Sequence, residues 1–293
     1  MVSYKKHTEN LKTFYLKKGL SAEDSQFYAL EKVKKLKISD DPFSYNSWLS
    51  NLIPYLKRET GIKSEEFLVL DFGCGSGEMV ILMRSLGFKA YGYDIYDAEI
   101  DLANELAKDN GYHERLFFSE KEKIFEHIGD KKINVLASFS VLEHLSDQYF
   151  LEKVDDFYDY IDGCIFAVVP SKYKITDDHT GMKFLGLFPR SVSQMFVSIA
   201  RNQYKLSETG EWDVWYRSIK DFKKLSALRG MNLTLIDDSF IYPSLKEVAK
   251  IGQSRRLSLG SFVERFYAKI IKLFTQNENN LYPYLNFILK KRQ

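Results

Sequence analysis

FLVLDFGCGSGEMVILMRSLGFKAYGYDI, residues 67–95, holds two short apolar runs that each end in an acid, Asp71 and Asp94. Between them lie a glycine cluster, Gly73, Gly75 and Gly77, and then a helical pattern. Glycines after a strand let the backbone turn sharply and let a ligand approach the main chain. The helix that follows presents N–H groups without intrahelical partners. The alternation continues beyond this stretch. Strands are predicted at Phe67–Asp71, Ala90–Asp94, Arg115–Phe118, Ile133–Phe139 and Cys164–Val169, and helices at Glu78–Leu86, Asp97–Asp109, Lys121–Ile128 and Asp147–Tyr160. Alternating elements of this kind predict an α/β fold, a doubly wound and mostly parallel sheet. The last strands are near-continuous apolar runs, as both-face burial requires.

The flanks read differently. Residues 1–65 carry no strand signal but place Leu11, Phe14, Tyr15 and then Phe27, Leu30, Val33 at helical spacing, which predicts a helical N-terminal cap. The α/β domain is expected over 66–245. Residues 171–216 interrupt it without a clean period, as a lid or binding segment does. Ser218 can cap a helix IKDFKKLSALRG closed by Gly230, and MNLTLID and FIYP are read as the final strands. Residues 246–293 read as a basic helical tail. Phe262, Val263, Phe266, Tyr267, Ile270, Ile271 and Phe274 make an apolar stripe among Arg and Lys, a pattern that can pack on the domain or touch an anionic membrane surface.

Composition narrows the class. The 293 residues carry 42 Lys+Arg against 40 Asp+Glu, a net charge of +2, which argues against a nucleic-acid specialist. Two cysteines, Cys74 and Cys164, are too few for a disulfide framework or a zinc site of the usual spacing. With no signal-peptide pattern and no apolar run of membrane-spanning length, the expectation is a cytoplasmic protein. Composition does not address the oligomeric state.

The glycine spacing bears on the ligand. Gly73, Gly75 and Gly77 alternate, whereas the dinucleotide fingerprint keeps two residues before its third glycine. An acid at Asp71, and another at Glu78, suit a cationic amino group better than a phosphate. Asp94 stands where an acid accepts hydrogen bonds from ribose hydroxyls. A ligand with a ribose and an amino acid group but no phosphate fits, and S-adenosylmethionine is such a ligand. VLDFGCGSG followed by YGYDI, together with INVLASFSVLEHLSD over Ile133–Asp147, resembles the motifs of the class I S-adenosylmethionine-dependent methyltransferases. GCIFAVVPS and YRSIKDFKKLSALRGMNLTLID resemble later elements of the same superfamily, so the resemblance covers about Phe67 to Asp237. It implies a seven-stranded Rossmann-like sheet with the last strand antiparallel and the cofactor at the carboxyl ends of the first strands. It further implies that Asp71, Gly73, Cys74, Gly75 and Gly77 line the methionine side of the cofactor. Asp94 would take the ribose and Ile95 would flank the adenine. Phe139 and Ser140 would lie near the cofactor, and Glu120 or Glu122 are candidates for the adenine amino group.

Catalysis would draw on His144, as general base on a substrate hydroxyl, and on His179 in the expected lid. Some members of the superfamily bind a divalent metal through a pattern like E-x-x-E-H with a later His. Glu143, His144 and His179 are a partial set of that kind, but Ser140 stands where the first acid would be and removes one hard oxygen ligand. The expectation is therefore a site that works without metal. Trp212, Trp215 and Tyr216 either line an acceptor pocket or anchor the lid. The acceptor is read as a small molecule, a quinone-like lipid or a sugar of a surface glycan, methylated on oxygen. Competing classes are a non-catalytic S-adenosylmethionine-binding protein, a methyltransferase acting on RNA or protein, and a nucleotide-dependent oxidoreductase.

Overall fold

The computed structural model describes residues 4–38, 44–62, 67–177, 179–200, 213–236 and 284–292. These form two compact units, one of residues 4–138 with 160–164, the other of residues 139–159, 165–236 and 284–292.

The first unit opens with three helices, α1 (Lys5–Lys17), α2 (Ala22–Lys34) and α3 (Tyr45–Thr60). Ser21 caps α2 by accepting from the Asp24 amide, Ser44 caps α3 by accepting from Ser47, and Gly61 closes α3 in the left-handed conformation. Leu11 of α1 packs on Ala29 and Val33 of α2, with Tyr4, Tyr15 and Leu102 against them. Then come β1 (Leu68–Phe72), α4 (Glu78–Ser85), β2 (Lys89–Tyr93), α5 (Asp97–Asp109), β3 (Phe117–Phe118), α6 (Lys121–Ile128) and β4 (Ile133–Phe139). β1 pairs in parallel with β2, Asp71 opposite Gly92, and with β4, Asp71 opposite Ala137. Every residue of β1 is buried, as a central strand covered on both faces requires. Asn134 is the polar exception in β4: its Oδ1 accepts from the Leu68 amide at 2.6 Å and its Nδ2 donates to Asp162 at 2.9 Å, so its burial leaves neither end unsatisfied.

The second unit contains a 3₁₀ turn over Leu142–His144, α7 (Asp147–Tyr158), the end of β5 (Ile161–Pro170), α8 (Arg190–Ala200), α9 (Ile219–Ala227), β6 (Met231–Leu235) and β7 (Tyr284–Lys291). Ser218 and Asp221 form a full capping box on α9. β7 is antiparallel to both β5 and β6, with Phe287 opposite Ala167 on one side and Leu235 on the other. Phe150, Phe222 and Phe287 stack as one buried series, with ring centroids 6.1 Å and 4.9 Å apart. The seven strands make one mostly parallel sheet in the order β3-β2-β1-β4-β5-β7-β6.

Three sequence expectations change. β3 is only Phe117–Phe118, and the Arg115 side chain donates through Nε to the Phe117 carbonyl. α7 ends at Tyr158, two residues early. The part of the predicted helical tail that is described, Tyr284–Lys291 within 246–293, is a strand. YLNFILKK is a short apolar run without period, and such a run inside a sheet reads the same whether helical or extended. FIYP, the apolar stripe at 262–274 and Trp212 lie outside the described residues. Among the described residues no helix is long and apolar enough to cross a membrane.

Candidate functional site

In the first unit the candidate site is the turn between β1 and α4. Gly73, Gly75 and Gly77 all take left-handed φ, +77°, +51° and +87°. At Gly77 a Cβ would meet the Phe117 ring at 2.6 Å and the Ala103 methyl at 2.8 Å, so the third glycine is required by packing as well as by backbone. The turn is tied to β2: the Gly73 and Cys74 amides both donate to the Tyr93 carbonyl, at 2.7 and 3.0 Å. Asp94 then fixes its rim, one carboxylate oxygen accepting from the Gly75 amide at 2.9 Å and the other from the Tyr96 amide at 3.1 Å. A carboxylate offers about four acceptor positions, which leaves two for hydroxyls of a ligand.

Asp71 lies at the end of β1, 2% exposed, and among the described residues its Oδ1 has no hydrogen-bond partner. Burial pushes its carboxyl up to about 7, with Lys35 and Lys32 opposing. Glu78 is equally buried, and its Oε1 is engaged by His7 of α1 at 3.0 Å and by the Ser76 hydroxyl at 2.7 Å, while Oε2 lies 3.9 Å from Lys32. Burial works to raise its carboxyl, yet Lys32 and His7 hold it down at about 2. The Cys74 thiol is buried and raised well above its usual range by that burial, so it is an inert packing group. Ile95 and Tyr96 stand exposed beside Asp94, at 52% and 53%. Glu120 is the residue before α6 and pairs with Lys123, three residues on.

The second unit gathers residues that are far apart in sequence. Ser140 takes φ +57°, uncommon for a side-chain-bearing residue, with its amide donating to the Val168 carbonyl at 2.8 Å. Phe139 packs edge-on against Phe166, centroids 5.9 Å apart. His144 and His179 meet with ring centroids 4.9 Å apart. Together with buried Glu143 they offer three ligand atoms within 4.8 Å of one another, so this set can hold a cation. His144 Nδ1 lies 3.2 Å from Asp213. Burial lowers the His144 pKa, but Asp213 and Glu143 outweigh it and leave it above the usual imidazole value. Asp177 anchors the His179 loop by accepting from the His179 and Thr180 amides at 3.0 and 2.7 Å and from the Tyr216 hydroxyl at 2.6 Å. Trp215 donates its amide to the Glu143 carbonyl at 2.7 Å, and its ring lies 4.1 Å from the Arg190 guanidinium. Tyr216 and Trp215 therefore act here as anchors of the segment.

Sequence reasoning missed three residues. Arg217, 4% exposed, donates to the carbonyls of Leu142 and Leu145 and to Asp147, clamping the 3₁₀ turn that carries Glu143 and His144. Asp213 gave no motif signal, and Lys32 looked like one charge among many on an amphipathic helix.

The comparisons agree with this arrangement. Residues 45–173 match the model of a family described as a methyltransferase domain. No curated protein matches the chain. Among solved structures, a S-adenosylmethionine-dependent methyltransferase from Clostridium acetobutylicum ATCC 824 is 10% identical, with 93% of this chain and 100% of that chain covered at a TM-score of 0.51. The plantazolicin methyltransferase BpumL in complex with SAH is 14% identical over 99% and 96% of the two chains, at 0.47. Magnesium protoporphyrin IX methyltransferase (ChlM) from Synechocystis PCC 6803 is 11% identical over 90% and 95%, at 0.43. At such identity the first of these speaks for the fold alone. The family match over residues 45–173, the glycine turn between two acid-ended strands and the seven-stranded order together support a methyltransferase domain in this chain.

Proposed function

We propose that the chain O-methylates a small molecule or a sugar of a surface glycan. The observation that carries this is the His144–Asp213 contact at 3.2 Å. Asp213 beside Nδ1 favours the proton on that nitrogen and leaves Nε2 as the basic one, the arrangement a general base for a hydroxyl needs. His179 stands against that ring and is the second candidate base.

The first unit fits the cofactor. Asp71 offers an unengaged buried oxygen to an ammonium, Asp94 has acceptor capacity left for ribose hydroxyls, and Gly75 and Gly77 leave the turn without side chains. Ile95 offers an exposed apolar flank for a purine. Gly73 and Cys74 shape the turn through their amides, and Phe139 and Ser140 belong to the same reading of the strand ends. Bound there, S-adenosylmethionine supplies an already activated methyl group. The protein's own task is then to position the acceptor and to remove its proton at His144.

A second reading takes Glu143, His144 and His179 as ligands of a divalent cation, supported by their convergence within 4.8 Å. A cytoplasmic location goes with the proposal, supported by two buried unbridged thiols, Cys74 and Cys164.

The test is transfer of labelled methyl to phenolic, catechol and glycan acceptors, with chelator or with added Mg²⁺. Wild-type transfer to a hydroxyl in chelator, lost in His144→Ala while S-adenosylhomocysteine binding persists, is the expected result. Transfer only with Mg²⁺ selects the metal reading. Labelling confined to protein or RNA sinks the proposal.

A further inference from the structure

The helical layer ahead of the sheet carries chemistry that the glycine turn alone does not explain. Lys32, on the last turn of α2, brings its Nζ to 3.3 Å from where a Cβ on Gly75 would stand. It forms an ion pair with Glu78 Oε2 at 3.9 Å, beyond a hydrogen bond, while His7 and Ser76 occupy Oε1. The ammonium is thus held beside the turn with Glu78 and Glu99 as its charge partners and without a short hydrogen bond to Glu78. Its side chain keeps 30% of its exposure, so it is reachable. A few residues away Asp71 presents a buried oxygen with no partner. One cation and one anion, both at the same glycine turn, are complementary to a ligand end that carries a carboxylate and an ammonium together.

We propose that Lys32 binds the carboxylate of the cofactor's amino acid end while Asp71 takes its ammonium, so that α2 is part of the cofactor site. The charge states agree with this. Burial alone would lower the Lys32 amine, but Glu78, Tyr15 and Glu99 outweigh it and keep the group protonated. Lys35, also on this side of α2, is lowered by burial and by Lys32, and it is the weaker cation of the two. Tyr15, Tyr45, Glu99 and Cys74 are further titratable groups facing Lys32. The assignment rests on S-adenosylmethionine being the cofactor, and its test separates the two.

The measurement is calorimetric binding of S-adenosylhomocysteine and of its decarboxylated analogue S-adenosyl-3-thiopropylamine, which keeps the amine and lacks the carboxylate. Lys32→Met should weaken S-adenosylhomocysteine by about tenfold to a hundredfold, the worth of one charge-assisted hydrogen bond. It should leave the analogue unchanged, and Lys32→Arg should recover most of the loss. Lys34→Met is the control, since it removes the same charge from the same helix at a side chain 65% exposed. Equal loss of both ligands in Lys32→Met, or equal loss in Lys34→Met, overturns the proposal. Wild-type protein that binds neither ligand overturns the cofactor assignment itself.

Discussion

Gly77→Ala tests whether the third glycine is demanded by crowding as well as by its backbone. Its φ is +87°, and a Cβ there would meet Phe117 at 2.6 Å and Ala103 at 2.8 Å. Left-handed backbone costs an L-residue about 1–2 kcal/mol. Forcing a methyl into a packed ring adds about 1–3 kcal/mol. Gly61→Ala supplies the reference, because Gly61 has φ +70° and nothing within 4 Å of its Cβ position, so it bears only the backbone part. Gly77→Ala should therefore destabilise by about 2–5 kcal/mol and Gly61→Ala by about 1–2 kcal/mol. At roughly 2–4 °C per kcal/mol for a chain of this order, the melting points should fall by about 4–20 °C and about 2–8 °C. Thermal and urea unfolding of both variants, followed by far-UV dichroism, measures the difference. Combining Gly77→Ala with Phe117→Leu should cost less than the sum of the two, since the ring that clashes is the one removed. Equal losses at Gly77 and Gly61 would refute the crowding argument, and strict additivity with Phe117→Leu would refute the identity of the clashing group.

Asp71 gives a pH prediction. Its carboxyl is raised from 3.8 to about 7, so the neutral form is favoured in the fold; that contribution to stability is full below 3.8 and is lost as pH climbs through 7. An ammonium ligand needs the ionised form, so S-adenosylhomocysteine affinity should rise between pH 6 and 8, and Asp71→Asn should flatten the profile; a flat wild-type profile would refute it. Asp213→Asn should lower kcat on hydroxyl acceptors by about 10²-fold or more, the usual worth of general-base catalysis, with S-adenosylhomocysteine binding unchanged by calorimetry. Arg217→Met removes four hydrogen bonds to the Leu142–Asp147 turn, so it should destabilise by roughly 2–4 kcal/mol in urea unfolding and reduce turnover.

The sheet was largely legible because its signals are local. LVLDF and INVLASF are apolar runs bounded by turn residues, and the helices around them bear Ser caps or glycine stops that work within four residues. The glycine turn was legible for the same reason: three alternate glycines between acids admit few ligands. What escaped depends on partners distant in the chain. Lys32 is meaningful only because α2 folds back over a turn that begins more than forty residues later. Asp213 and Arg217 act on residues 142–147, across a segment with no periodicity of its own. β7 is the sharpest case. YLNFILKK carries no alternation because both of its faces and both of its edges are covered, and pairing on two edges cannot be read from a single strand.

That double pairing sets an order of events during synthesis. Among the described residues β6 touches the sheet only through β7, and β7 leaves the ribosome roughly fifty residues after β6 ends. At about 5–20 residues per second, β6 waits some seconds with an unpaired edge before the strand that fastens it exists. Throughout that interval β5 also lacks its antiparallel neighbour, and Phe222 lacks Phe287 to cover it. A nascent chain at this stage exposes two sticky strand edges and an aromatic face at once, the surfaces that holding chaperones recognise and that aggregation exploits. Ribosome stalling or premature termination between β6 and β7 would leave a product whose cofactor turn is already encoded but whose sheet cannot close.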